Sequence, residues 1–222
     1  MIRSSLWRNA RVVYRISRRL VSIFLRLRFG LRVEGRQHEP PTGPLIVVSN
    51  HVSELDPLVV GCTLRRPVRF MAKVELFRPP LLRWWITACG GFSVRRGAPD
   101  RRALRTARQI LEQGGALVMF PEGTRGSSVR DLRPPEPGAA LLALHTRAVI
   151  LPVAIIGTDT ILPRGAHRLS RGTIRVRIGT PIRVDGTEGG PIHSRADRDQ
   201  IDSLGRLYMG MIGRLLAGTG QT

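Results

Sequence analysis

From residue 31 onward, short apolar runs rich in β-branched residues alternate with segments of helical periodicity. No other feature constrains the fold as tightly. Candidate strands are LRVEG (31–35), PLIVVS (44–49), VRFMA (68–72), FSVRR (92–96), ALVMF (116–120), VILPVAII (149–156) and TIRVRIG (173–179). Helical patterns lie near 57–64, 79–88, 100–113, 137–146 and 195–217; the third opens on Asp100 and stops at Gly114-Gly115. Such alternation predicts an α/β fold, a mixed and largely parallel sheet flanked by helices, in which ligands sit at the carboxyl ends of the strands. The 222 residues suffice for one domain of this kind.

The first 30 residues read differently. Leu6, Val12, Val13, Ile16, Leu20, Ile23, Phe24 and Leu27 recur near helical spacing, arginines fill the gaps, and Trp7 and Tyr14 add rings suited to an interface. Residues 1–36 hold ten arginines against a single acid, Glu34, within a chain of net charge +20. The longest apolar run, LVSIFL, is far short of the roughly 20 residues that span a bilayer. The segment fits an amphipathic helix lying in an anionic membrane surface, with arginines snorkelling to headgroups. The alternative is a helix packed on the protein's own core. Part of the basicity is a global preference for arginine, since Lys73 is the single lysine. The two cysteines, Cys62 and Cys89, have no metal spacing and suggest a reducing compartment. Aromatic residues are few and no nucleic-acid motif is present.

Three stretches concentrate polar residues just after apolar strands. In NHVSELDP (50–57), His51 and Asp56 are five residues apart and would lie roughly 140° apart on a continuous helix. Pro57 suits a first helical position, which would make Asp56 an N-cap and leave 50–55 as a turn. A tight turn can fold His51 over Asp56, so that the carboxylate takes one imidazole N–H and leaves the other nitrogen as a base; an N-cap Asp beside a surface His is the equal alternative. In GGFSVRRG (90–97), strand alternation would send Arg95 and Arg96 to opposite faces, one toward a site. In FPEGTRG (120–126), Arg125 could grip a phosphate with help from Thr124 and loop amides, Gly123 shapes the turn, and Glu122 could fix an arginine or accept from a hydroxyl. Lys73 ends a strand, where a compact ammonium fits spaces closed to a guanidinium.

In that order NHVSELD, GGFSVRR, FPEGTRG and VILPVAIIGT resemble the four blocks of the glycerolipid acyltransferases, and most of all the 1-acyl-sn-glycerol-3-phosphate acyltransferases. The likeness covers residues 30–185. It implies an N-terminal membrane-associating helix (1–30) and an acyltransferase catalytic domain (31–222). It further implies transfer of an acyl group from acyl-CoA or acyl-carrier protein to lysophosphatidic acid at the cytoplasmic face of the plasma membrane. On the matching positions, His51 is the general base and Asp56 its orienting carboxylate. Arg96, Glu122, Gly123, Thr124, Arg125 and Lys73 bind the acceptor, and Pro152 shapes the site or the donor side. The chain departs from the family at Pro137, where a lysine often precedes the glycine. No metal or other cofactor is expected, and no nucleic-acid partner. An imidazole that removes the hydroxyl proton as the oxygen attacks the thioester suffices, and Ser53 is expected to be a turn hydroxyl rather than a nucleophile. Two rivals stand beside this reading: the same chemistry on another lysophospholipid or amino-acid lipid, and a non-catalytic basic protein that binds membrane or nucleic acid.

Overall fold

A computed structural model of the chain describes residues 3–95, 100–126, 128–129, 131–184 and 195–219, with side chains from residue 12 and, in the last helix, from residue 197. All seven expected strands form, as β1 (Arg32–Glu34), β2 (Leu45–Ser49), β3 (Val68–Lys73), β4 (Gly91–Val94), β5 (Ala116–Met119), β6 (Val149–Ile156) and β7 (Arg175–Ile178). They make one sheet in the order β1-β7-β6-β2-β5-β3-β4. Every pairing is parallel except β6 with β7.

Among the described residues, seven α-helices surround the sheet: α1 (Arg3–Phe29), α2 (Asp56–Thr63), α3 (Pro80–Ala88), α4 (Arg101–Glu112), α5 (Gly138–Thr146), α6 (Thr158–Ile161) and α7 (Arg195–Ala217). Only α6, a single turn, has no counterpart among the expected helices. The Asp100 cap forms as read, its carboxylate accepting from the N–H groups of Arg102 and Ala103. Alternation along β2 sorts the core into two layers. Leu45 and Val47 pack with Leu25 and Phe29 of α1 and Val59 and Val60 of α2. Ile46 and Val48 face Ala107 and Leu111 of α4, Ala143 of α5 and Tyr208 and Ile212 of α7. The helix α5 is apolar nearly all round, as a helix wedged between neighbours must be.

One of the two alternatives for the N-terminal helix, packing on the protein's own core, holds for one face of α1. Leu25 and Phe29 are buried in the sheet core. Tyr14 turns inward as well, where its hydroxyl accepts from the N–H of Val68, so it is not an interface ring. Arg18 also faces inward and donates to the carbonyls of Leu64 and Arg65 at the end of α2, capping that helix where the backbone dipole favours a cation. The opposite face carries Val12, Ile16, Leu20, Ile23, Phe24 and Leu27, all exposed. Trp7 lies outside the residues whose side chains are described.

Candidate active site

The carboxyl ends of β2, β5, β3 and β4 stand side by side, and this order brings the separate sequence blocks to one edge. The turn after β2 carries His51. Its ring Nδ1 lies 2.9 Å from Oδ2 of Asp56, and both residues are buried. The same Oδ2 accepts from the N–H groups of Val52 (2.7 Å) and Ser53 (2.8 Å), while Oδ1 accepts from the Thr158 hydroxyl at 2.7 Å. The carboxylate therefore closes the turn on itself. With Nδ1–H directed at Asp56, Nε2 is the nitrogen left to act as a base.

Asp56 is not the N-cap anticipated from Pro57. Leu55 caps α2, Asp56 is its first residue, and Pro57 follows within the first turn. The carboxylate is consumed by the imidazole and the amides of the preceding turn, so it has nothing left for the helix amides beyond it. Ser53 behaves as the expected turn hydroxyl, donating to the Leu162 carbonyl and accepting from the Leu55 N–H.

The third block holds His51 from the other side. The His51 N–H donates to Oε1 of Glu122 at 2.9 Å, and its carbonyl accepts from the N–H of Gly126 at 2.8 Å. Phe120 stacks on the imidazole with ring centroids 4.2 Å apart. The other oxygen of Glu122 accepts from the N–H of Arg133. Burial raises the Glu122 carboxyl above the ordinary glutamate range, against the pull of these two amide donors. Gly123 adopts the left-handed conformation that its turn requires, with Glu136 packed against it. Thr124 follows it, half-buried, in the same loop.

Two of the cations expected at the acceptor, Arg125 and Lys73, lie at this carboxyl edge. Arg125 pairs with Glu54, Nη1 to Oε1 at 3.0 Å. Lys73 ends β3 in register with Val94, the last residue of β4, and is exposed. β4 stops at Val94, so Arg95 lies beyond the strand. The N–H of Arg95 goes instead to Asp100, and Arg96 lies outside the described residues. Pro152 sits within β6 opposite Val48, and its carbonyl accepts from the N–H of Gly179, one residue past β7. Pro137 directly precedes α5. Among the described residues, no cluster of His, Cys, Asp or Glu is arranged to hold a metal ion.

Three participants went unassigned in the sequence. Thr158 supplies a donor to Asp56 from a position 102 residues away. Asn50 clamps β6, donating to the Ile155 carbonyl and accepting from its N–H. Phe120 supplies the stacking face. A threonine after glycine at the carboxyl end of a core strand was the available signal for the first; nothing in sequence distinguishes the other two from ordinary strand-end residues.

A buried histidine–carboxylate pair at the carboxyl edge of a mostly parallel sheet is an arrangement with the chemistry to take up a proton. The acyltransferase family model matches residues 30–156. A chloroplastic 1-acyl-sn-glycerol-3-phosphate acyltransferase of Arabidopsis thaliana is 30% identical over 158 residues, 69% of this chain and 44% of that protein. The lyso-ornithine lipid O-acyltransferase of Pseudomonas aeruginosa is 31% identical over 193 residues, 78% of this chain and 71% of that protein. The crystal structure of the 1-acyl-sn-glycerophosphate acyltransferase PlsC from Thermotoga maritima superposes with a TM-score of 0.73 at 25% identity, covering 94% of this chain and 78% of that one. The chain belongs to the acyltransferase family. It spans about half the length of several curated relatives that it matches.

Proposed function

We propose that the protein transfers a fatty acyl group from acyl-CoA or acyl-carrier protein to the free hydroxyl of 1-acylglycerol-3-phosphate, giving phosphatidic acid. The observation that carries this reading is the 2.9 Å contact between His51 and Asp56, buried beneath Arg125 and the end of β3. His51 Nε2 takes the hydroxyl proton as the oxygen attacks the thioester carbonyl; the carbon–sulfur bond breaks and the thiolate leaves, to be protonated as free thiol. Asp56 fixes the tautomer and stabilises the imidazolium, and general-base catalysis of this kind contributes about 10²–10⁴-fold. Arg125, Arg96 and Lys73 hold the acceptor phosphate, so that orientation adds to proton transfer.

The protein works at an anionic membrane surface, on the cytoplasmic face of the plasma membrane. Support comes from the exposed apolar face of α1 and from Leu81 and Trp84 of α3, also exposed. Trp85 joins α3 to α1 through a hydrogen bond to Ser17, so the two apolar faces adjoin. Among the described residues no helix is long and apolar enough to cross a bilayer. A small crevice between α1, α2 and α3 is lined by Tyr14, Pro57, Leu58, Phe70 and Trp85.

The test is thiol release from acyl-CoA with and without lysophosphatidic acid, for the wild type and His51→Ala. Release that requires the acceptor and is lost in the variant is the expected result; near-normal turnover by the variant would overturn the base assignment. A second acceptor, a lysolipid with an amino-acid headgroup, is supported by the relative named for such a substrate, 31% identical across 71% of its own length. Direct competition between lysophosphatidic acid and lyso-ornithine lipid separates the two.

A further inference from the structure

Glu54 lies between the base and its orienting carboxylate in sequence, yet it takes no part in the dyad. Its side chain is 70% exposed and reaches across to the third block, where it pairs with the partly buried Arg125. Both ends of this pair are rooted in the dyad's own scaffold. The turn beneath Glu54 is pinned by Asp56 and Ser53, and the residue after Arg125 donates its N–H to the His51 carbonyl. The backbone that carries Arg125 is therefore tied directly to that of His51.

We propose that Glu54 is a specificity-determining residue: its carboxylate occupies Arg125 in place of the acceptor's anionic headgroup and must be displaced before the acceptor is held. The inference rests on the acyl-transfer reading above. An exposed carboxylate–arginine pair is weak, whereas a phosphate monoester can form two charge-assisted bonds to the same guanidinium. The exchange therefore favours a headgroup of greater negative charge. A phosphomonoester, which approaches two charges at neutral pH, displaces Glu54 readily, and a singly charged phosphodiester does so poorly. Glu54 acts on the acceptor through Arg125 and is thus a positioning residue.

The variant Glu54→Gln keeps the shape and removes the charge. Its apparent KM for lysophosphatidic acid in mixed micelles should fall about two- to five-fold, the range expected for losing one exposed charge pair, with the change confined to KM. The preference for lysophosphatidic acid over lysophosphatidylglycerol should narrow, and both effects should shrink in high salt. A KM that rises, or a KM and preference that do not move, would overturn the proposal. A second measurement needs no turnover. Phenylglyoxal modification of Arg125, read by peptide mass spectrometry, should be faster in Glu54→Gln than in the wild type, and glycerol 3-phosphate should protect Arg125 more strongly in the variant. Equal modification and protection in both proteins would overturn the pairing role. Absence of acyl transfer in the wild type would instead overturn the function reading, leaving the modification arm to decide on Glu54.

Discussion

Asp56 is the residue on which most of the site depends. Its carboxylate accepts from one imidazole nitrogen, two backbone amides and one hydroxyl, all of them buried. Asp56→Asn replaces one acceptor oxygen with a donor that faces donors. It should cost about 3 kcal/mol or more in stability as well as turnover, measurable by urea denaturation. His51→Ala should lower kcat with a much smaller loss of stability, because the turn's amides keep their acceptor. Glu122 offers a test with a defined sign. Burial raises its folded-state pKa above the ordinary value, so the folded state holds the extra proton. That contribution to stability is complete below the unfolded glutamate pKa and is lost as pH rises through the raised folded pKa. Glu122→Gln cannot titrate, so the wild type's Tm relative to the variant's should fall across that window on going from acid toward neutral pH. A constant difference between the two melting profiles would place the carboxyl's titration outside it.

At the scale of the element, α1 has a buried and an exposed face that can be tested apart. Leu25→Ala opens a hole in the sheet core and should cost about 2–5 kcal/mol. Leu20→Glu with Leu27→Glu alters only exposed positions. It should leave Tm nearly unchanged while weakening sedimentation with anionic vesicles. Removing residues 1–28 is the poorer experiment, because it takes Leu25 out of the core together with the exposed stripe. Cys62 of α2 illustrates the same packing: burial against α1 pushes its thiol up to about 11, so native protein should resist iodoacetamide at neutral pH and react once α1 is unfolded. Periodicity identified α1 as a helix with scattered apolar positions. It could not say which of them face inward, because Leu20 and Leu25 are equally apolar as letters and differ only in what lies beside them.

For the molecule as a whole, the charge of +20 acts at long range. Association with anionic vesicles should weaken progressively between about 0.1 and 1 M NaCl as the Debye length contracts from roughly 10 to 3 Å. Binding that does not respond to salt would assign the attraction to apolar insertion alone. The two core layers share the central strands, so fluorescence from Trp85 beside α1 and far-UV circular dichroism should report one unfolding transition.

The alternation of strand-like and helix-like runs determined the α/β class and every strand, since period and β-branching are local properties of a chain. Local chemistry also marked His51, Asp56, Glu122 and Arg125 as residues to watch. What they do was decided by the tertiary structure. Strand order placed β5 beside β2, and so turned Glu122 toward the His51 amide and Arg125 toward Glu54. The pairing of β6 with β2 carried Thr158 to Asp56 from 102 residues away. Hydrogen bonds reach about 3 Å, and a linear sequence holds no record of which distant residues will come within that distance.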